Sequence, residues 1–150
     1  MVHPSSIHPD HELRDFLQGK VVVGENAKPV PVYGNWERPT NGVPDDFVVI
    51  MLNGNPGGLG LNIDYAKGYL MVCLYCKLNS DGSVKENRVT NILKEFDTLI
   101  EGLSTENYHF KYDNQQFITP TTPNITSGYS VTSLNLRWTT TTNFNKPEKP

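Results

Sequence analysis

Between Tyr69 and Leu103 an unbroken apolar strand runs into an amphipathic helix, and few folds accommodate that succession. Tyr69-Leu70-Met71-Val72-Cys73-Leu74-Tyr75-Cys76 is apolar on both faces of a strand. An Asp81-Gly82 turn follows. Val89, Ile92, Leu93, Phe96, Leu99, Ile100 and Leu103 then recur at i, i+3, i+4, i+7, i+10, i+11 and i+14, a single stripe at the helical period. A helix with one greasy face beside strands needs a sheet to lie on.

The rest of the chain supplies that sheet. Phe47-Val48-Val49-Ile50-Met51-Leu52 is a second strand apolar on both faces and needs cover on each side. Tyr108-His109-Phe110-Lys111-Tyr112 alternates, and Asp113-Asn114 turns the chain toward Gln116-Phe117-Ile118. Pro120 and Pro123 mark a loop. Residues 129–138 form a long last strand, with Leu134, Leu136 and Trp138 on one face and Tyr129, Val131 and Arg137 on the other. At the start, residues 8–19 read as a short helix: Pro9 suits its first turn, Asp10 and Glu12 its dipole, and Gly19 its C′ position. Leu13, Phe16 and Leu17 give it a narrow apolar face, with Ile7 as a staple. Residues 20–23 are a short strand or the return from that helix. Prolines at 29, 31, 39 and 44 restrict Val30–Tyr33 to an edge strand and leave Trp36 at the surface. The expected fold is α+β: a mainly antiparallel sheet with a short N-terminal helix and one long helix on one face. Phe47, Val49, Leu70, Val72, Leu134 and Leu136 join the helical stripe in its core.

Two segments fall outside this core. Residues 53–64, Asn-Gly-Asn-Pro-Gly-Gly-Leu-Gly-Leu-Asn-Ile-Asp, read as a hairpin loop too long for a tight turn. Its Leu59, Leu61 and Ile63 alternate and would be exposed. Residues 139–150 begin with four threonines, end in Lys-Pro-Glu-Lys-Pro and have only Phe144 as an anchor. Residues 1–138 are therefore expected as one domain and 139–150 as a tail. Asn53, Gly54, Leu59, Leu61, Ile63 and Phe144 are the candidate contacts with neighbouring subunits.

Charge and chemistry narrow the function. With 13 basic and 16 acidic residues the net charge is −3, which gives no electrostatic case for gripping nucleic acid or an anionic membrane. Charged residues are 19% against the usual ~25%, and 15 Asn and 13 Thr make up the difference. Such a weakly charged surface suits permanent contact with other subunits. Cys73 and Cys76, three apart in a strand, point to opposite faces and read as buried thiols, with no metal and no disulfide. Residues 1–6 show no signal peptide, and the longest apolar run, 47–52, is far below the ~20 residues of a membrane span. Gly54-Asn55-Pro56-Gly57-Gly58-Leu59-Gly60 lacks the Lys-Ser/Thr and the following helix of a phosphate loop. His8, Asp10, His11 and Glu12 can bind metals but show no further ligand at a usual spacing, so they read as solvated polar groups at a helix start. No catalytic constellation and no cofactor site is present.

The order of elements resembles the phage head-to-tail connector and tail-completion proteins, particularly the tail-terminator-like fold. The matching pieces are 13–17, 30–34 with its Val32-Tyr33-Gly34, 46–52 with Asn53-Gly54, 68–78, 88–103 and 129–138. The resemblance implies a structural subunit of a closed six- or twelve-fold ring in the virion neck, made in the host cytoplasm. Its neighbours would be portal, adaptor or tail proteins, and the genome would pass through the lumen without specific binding. An acidic lumen suits that role because it repels phosphates. Two rivals stand beside this reading. An enzyme or ligand-binding domain would place polar groups beneath the helix, whose stripe is wholly apolar. A non-catalytic cytoplasmic protein-binding module would have no need of an apolar loop and a Thr-rich tail.

Overall fold

A computed structural model of the chain describes residues 8–23, 28–35, 37, 39, 42–58, 66–113, 118–124 and 127–141. Helix α1 (Pro9–Leu17) is followed by β1 (Val22–Val23) and β2 (Lys28–Pro29), which pair as a separate two-stranded ribbon. Then come β3 (Val32–Tyr33), β4 (Asp46–Gly58), β5 (Ala66–Lys77), helix α2 (Glu86–Ile100), β6 (Tyr108–Tyr112), β7 (Ile118–Asn124) and β8 (Tyr129–Thr140). The main sheet runs β3-β4-β5-β8-β6, and β7 also pairs with β8. Its pairings are antiparallel except for β3 with β4. The fold is α+β with a mainly antiparallel sheet and two helices.

Strand β8 organises the sheet. One edge pairs with β5 over its length, from Lys77↔Tyr129 to Lys67↔Thr139. The other edge is divided, with β7 beside residues 129–134 and β6 beside 136–140. Leu134, Leu136 and Trp138 all point to one face, where Leu70, Val72 and Leu74 of β5 and Val48 and Ile50 of β4 join them. Both helices lie on that face. Leu13 and Leu17 of α1, and Val89, Ile92, Phe96 and Ile100 of α2, belong to the same core.

Polar contacts fix the helices and close one sheet edge. Arg88, in the first turn of α2, donates to the Asp46 carboxylate at the start of β4, with Nε at 2.7 Å. Asp97 of α2 accepts from the Tyr112 hydroxyl on β6. Beyond α1, the Gln18 amide donates to Val32 O at 2.9 Å and accepts from Val32 N–H at 3.0 Å. It thereby stands in for a further strand along β3. Asn35 Oδ1 does the same for the Leu52 N–H of β4 at 2.8 Å. Edges satisfied by side chains are poor templates for another chain.

Five expectations change. The helical stripe does not reach Leu103, because α2 ends at Ile100 and Gly102 adopts φ +67°, a left-handed stop. Leu93, Leu99 and Leu103 are partly buried and pack on the core's margin, whereas Val89, Ile92, Phe96 and Ile100 are its centre. Phe47 and Val49 are buried, but on the sheet face opposite the helices. Residues 53–58, expected as loop, continue β4, and the pairing absorbs them through a register shift between Asn53 and Gly57. Pro120 and Pro123 lie within β7 because it pairs with β8 along one edge and has its own shift between Thr119 and Thr122. Finally, β8 runs through Thr139 and the buried Thr140, two residues into the expected tail.

Gly68 illustrates how tightly the core is fitted. It lies opposite Trp138, and a methyl group at its Cα would sit 2.7 Å from the indole. Trp138 is 1% exposed and meets Tyr108 edge-on at 5.6 Å, so the ring has nowhere to withdraw. Gly68→Ala should therefore destabilise by about 1–3 kcal/mol despite the better strand propensity of alanine. Phe96→Ala, at the centre of the helix–sheet contact, should cost about 3–5 kcal/mol. Urea titrations of both variants read these values, and a Phe96→Ala loss well under 1 kcal/mol would contradict the packing described.

Candidate assembly surface

Alternation along the strands gives the sheet a second face, away from both helices. Its rows follow from the register. Tyr33, Val49, Cys73 and Ser133 cross its middle; Phe47, Tyr75 and Val131 lie to one side, and Met51, Met71 and Asn135 to the other. Beyond them come Tyr69, Arg137 and Lys111, then Lys67, Thr139 and His109. Apolar and aromatic residues thus concentrate at one end of the face, with Lys77 paired to Asp45 beyond them, and Lys67, Lys111 and Arg137 gather at the other.

At the apolar end, Phe47 is the hub. It stacks on Tyr75 at 4.8 Å with planes 3° apart, and meets Tyr129 and Tyr33 edge-on at 5.5 and 6.1 Å. The Tyr129 hydroxyl donates to Pro44 O at 2.8 Å, tying the segment before β4 to β8. Val49 and Cys73 are buried at the centre, and Ser133 Oγ donates to Cys73 Sγ at 3.4 Å. Cys76 points to the helix face beside Asp46, and burial pushes its thiol up to about 12. The two thiols face opposite sides, as the strand spacing requires.

At the cationic end, Arg137 lies 5.7 Å over the Tyr69 ring and 3.7 Å from Asp113. Tyr69 is 47% exposed, a large aromatic surface for a sheet face. Tyr69, Arg137, Lys67, Lys111 and Trp138 line a cavity of about 370 Å³. On the other side of the sheet, Leu93 of α2 and Ile118 of β7 flank an open groove of about 570 Å³.

Of the interface residues expected from the sequence, Asn53 and Gly54 lie in β4, in the part of the β4–β5 hairpin leading to its turn. Leu59, Leu61, Ile63 and Phe144 lie outside the described residues, as do Ile7 and Trp36. Alternation alone does not reveal the open sheet face, because β4 and β5 are apolar on both sides; it follows only from the strand order. The helix-start cluster also differs from expectation. His8 and His11 are exposed, but Asp10 is 2% exposed and Glu12 is engaged by Asn107. The reading of solvated groups fails for both carboxylates, because α1 docks here against the loop before β6.

Comparison with known proteins finds no matching family model, no matching curated protein and no matching solved structure.

Burial pushes the Tyr108 hydroxyl up to about 12, and raises that of Tyr112, beside Asp97, further still. With Cys76, these groups favour the folded state while protonated. Since each folded value lies above its ordinary one, their contribution is complete below about pH 9 and is lost as pH rises through 12. Absorbance titration at the phenolate band should show two tyrosines ionising only as the alkaline unfolding transition occurs. Ionisation of all seven tyrosines near pH 10 with the fold intact would contradict these environments.

Proposed function

We propose that this chain is a structural subunit of an oligomeric ring in a phage neck, joining head to tail and forming part of the genome conduit. The observation that carries this reading is the two-sided sheet: helices cover one face, while the other presents Tyr69, Met51, Met71 and the cationic row to its surroundings. A subunit that assembles through a sheet face and a projecting hairpin needs both surfaces. The β4–β5 hairpin is in the right place, since Gly57↔Lys67 and Gly58↔Ala66 carry it to the limit of the sheet. Between Gly58 and Ala66 the sequence carries Leu59, Leu61 and Ile63.

In this reading the long helix is the rigid spine of the subunit, the hairpin loop is an arm that seats on the next protomer, and the C-terminal segment with Phe144 lies along a portal, adaptor or tail protein. The apolar arm would be a liability in water and becomes a seam in a ring. The net charge of −3 suits a lumen that lets DNA pass. Enzymatic function has less support, because Val89, Ile92, Phe96 and Ile100 of α2 meet an apolar core and the buried Asp46 beside it is engaged by Arg88.

Light scattering and class-averaged images of the purified chain test the proposal: a closed ring of defined order is expected. Replacing residues 59–65 by a two-residue Asn-Gly turn would join the paired Gly58 and Ala66 directly. The variant should fold as a monomer with unchanged circular dichroism and form no rings. Rings of normal size from it would remove the arm from the interface, and a strictly monomeric parent at high concentration would count against the ring itself.

A further inference from the structure

Residues 8–11 read His-Pro-Asp-His, and the fold holds them rigidly where α1 begins. The His8 N–H donates to the Tyr108 hydroxyl at 2.8 Å. One residue past His11, Glu12 accepts from the Asn107 N–H at 3.2 Å and from its side chain at 2.9 Å. The turn is thus fastened from both ends, to Tyr108 of β6 and to Asn107 just before it.

Asp10 is the unusual member. Its carboxylate is 2% exposed; Oδ2 has a long contact of 3.5 Å from the Asn35 N–H and lies 3.6 Å from His11 Nε2. Oδ1 is buried and has no hydrogen-bond partner among the described residues. Native proteins rarely leave a buried carboxylate oxygen without a donor or an ion. Beside it, the His8 and His11 rings stack 4.8 Å apart, and ligand atoms of all three residues lie within 4.8 Å of one another.

We propose that His8, Asp10 and His11 form a three-ligand site for a divalent transition metal of the zinc class. Two imidazoles and one carboxylate match the donor preference of such ions, and three protein ligands leave a fourth position open to water. The partial positive charge of a helix N-terminus opposes a cation here, and the buried carboxylate is what offsets it. The stacked rings are the unbound arrangement. An imidazole lone pair lies in its ring plane, so two parallel rings cannot both aim at one ion. Rotating one exposed ring brings the ligand atoms to the roughly 3.3 Å spacing that tetrahedral bonds of about 2.0 Å require. The proposal does not rest on the ring reading, since the site lies within one chain.

Calorimetric titration of chelator-treated full chain with zinc chloride tests it, with the cobalt absorption spectrum as a second readout. One equivalent should bind, cobalt should give the intense visible bands of a four-coordinate ion, and zinc should raise the melting temperature. His8→Ala and His11→Ala should each weaken binding by about tenfold or more while leaving the apo melting curve unchanged, because both side chains are exposed. Asp10→Asn should abolish binding, with circular dichroism confirming that it folds. Absence of stoichiometric binding to the parent chain, or affinity unchanged in both histidine variants, would overturn the assignment.

Discussion

The register of β8 is the constraint on which the rest of this structure depends. Its apolar residues Leu134, Leu136 and Trp138 occupy alternate positions, so a one-residue slip would expose all three. β8 is also the strand that meets β5 on one edge and both β6 and β7 on the other. One choice of parity therefore sets which side of three other strands faces the helices. Gly68 fixes that choice further, since only a residue without a side chain fits opposite the Trp138 indole. With the parity set, Phe96 and Ile100 have a complementary surface, and Asp46 comes within reach of Arg88.

The same parity creates the second face. Two helices cannot cover both sides of a six-stranded sheet, so β4 and β5, apolar on both sides, must satisfy the far side differently. They do so unevenly. Around Phe47 the aromatic rings of Tyr33, Tyr75 and Tyr129 cover one another, and Val49 and Cys73 sink beneath the surface. Toward the other end the rows turn to Met51 and Met71, then to Tyr69, Arg137 and Lys111, with progressively less self-cover. A surface graded in this way is inexpensive to expose at its cationic end and well suited to contact at its methionine and tyrosine rows. That gradient is what makes assembly through this face a coherent physical idea.

Much of the core was legible because periodicity reports burial directly. The helical stripe identified Val89, Ile92, Phe96 and Ile100, and alternation assigned Leu134, Leu136 and Trp138 to one face. What was not legible depended on pairing. Asn53–Gly54 and Pro120–Pro123 carry the composition of loops, yet a partner strand with a register shift holds both stretches in a sheet. Leu103 kept the stripe's phase, but Gly102, one residue earlier, ends the helix by its backbone rather than by its side chain. Asp10 could not be recognised as buried, nor Glu12 as engaged, because their contacts come from Asn35 and Asn107, 25 and 95 positions away. The candidate arm carries its apolar pattern openly in the sequence, while the open sheet face emerges only once β8 is known to lie between β5 and β6.

These features meet at one end of the sheet. Tyr108, whose hydroxyl receives the His8 N–H, is paired with Thr140, and the Thr140 hydroxyl receives the Ala66 N–H where β5 begins. Two hydrogen bonds and one cross-strand pair therefore link the start of α1 to the base of the β4–β5 hairpin. Each contact is short and at least partly buried, so none is freely exchanged for water. An event that stiffens the His8–His11 turn would act on the strand ends from which the hairpin projects, whereas the aromatic hub around Phe47 sits at the other end of the same strands. Packing is thus concentrated around Phe47 and beneath α2, away from the strand ends that the His8–His11 turn reaches.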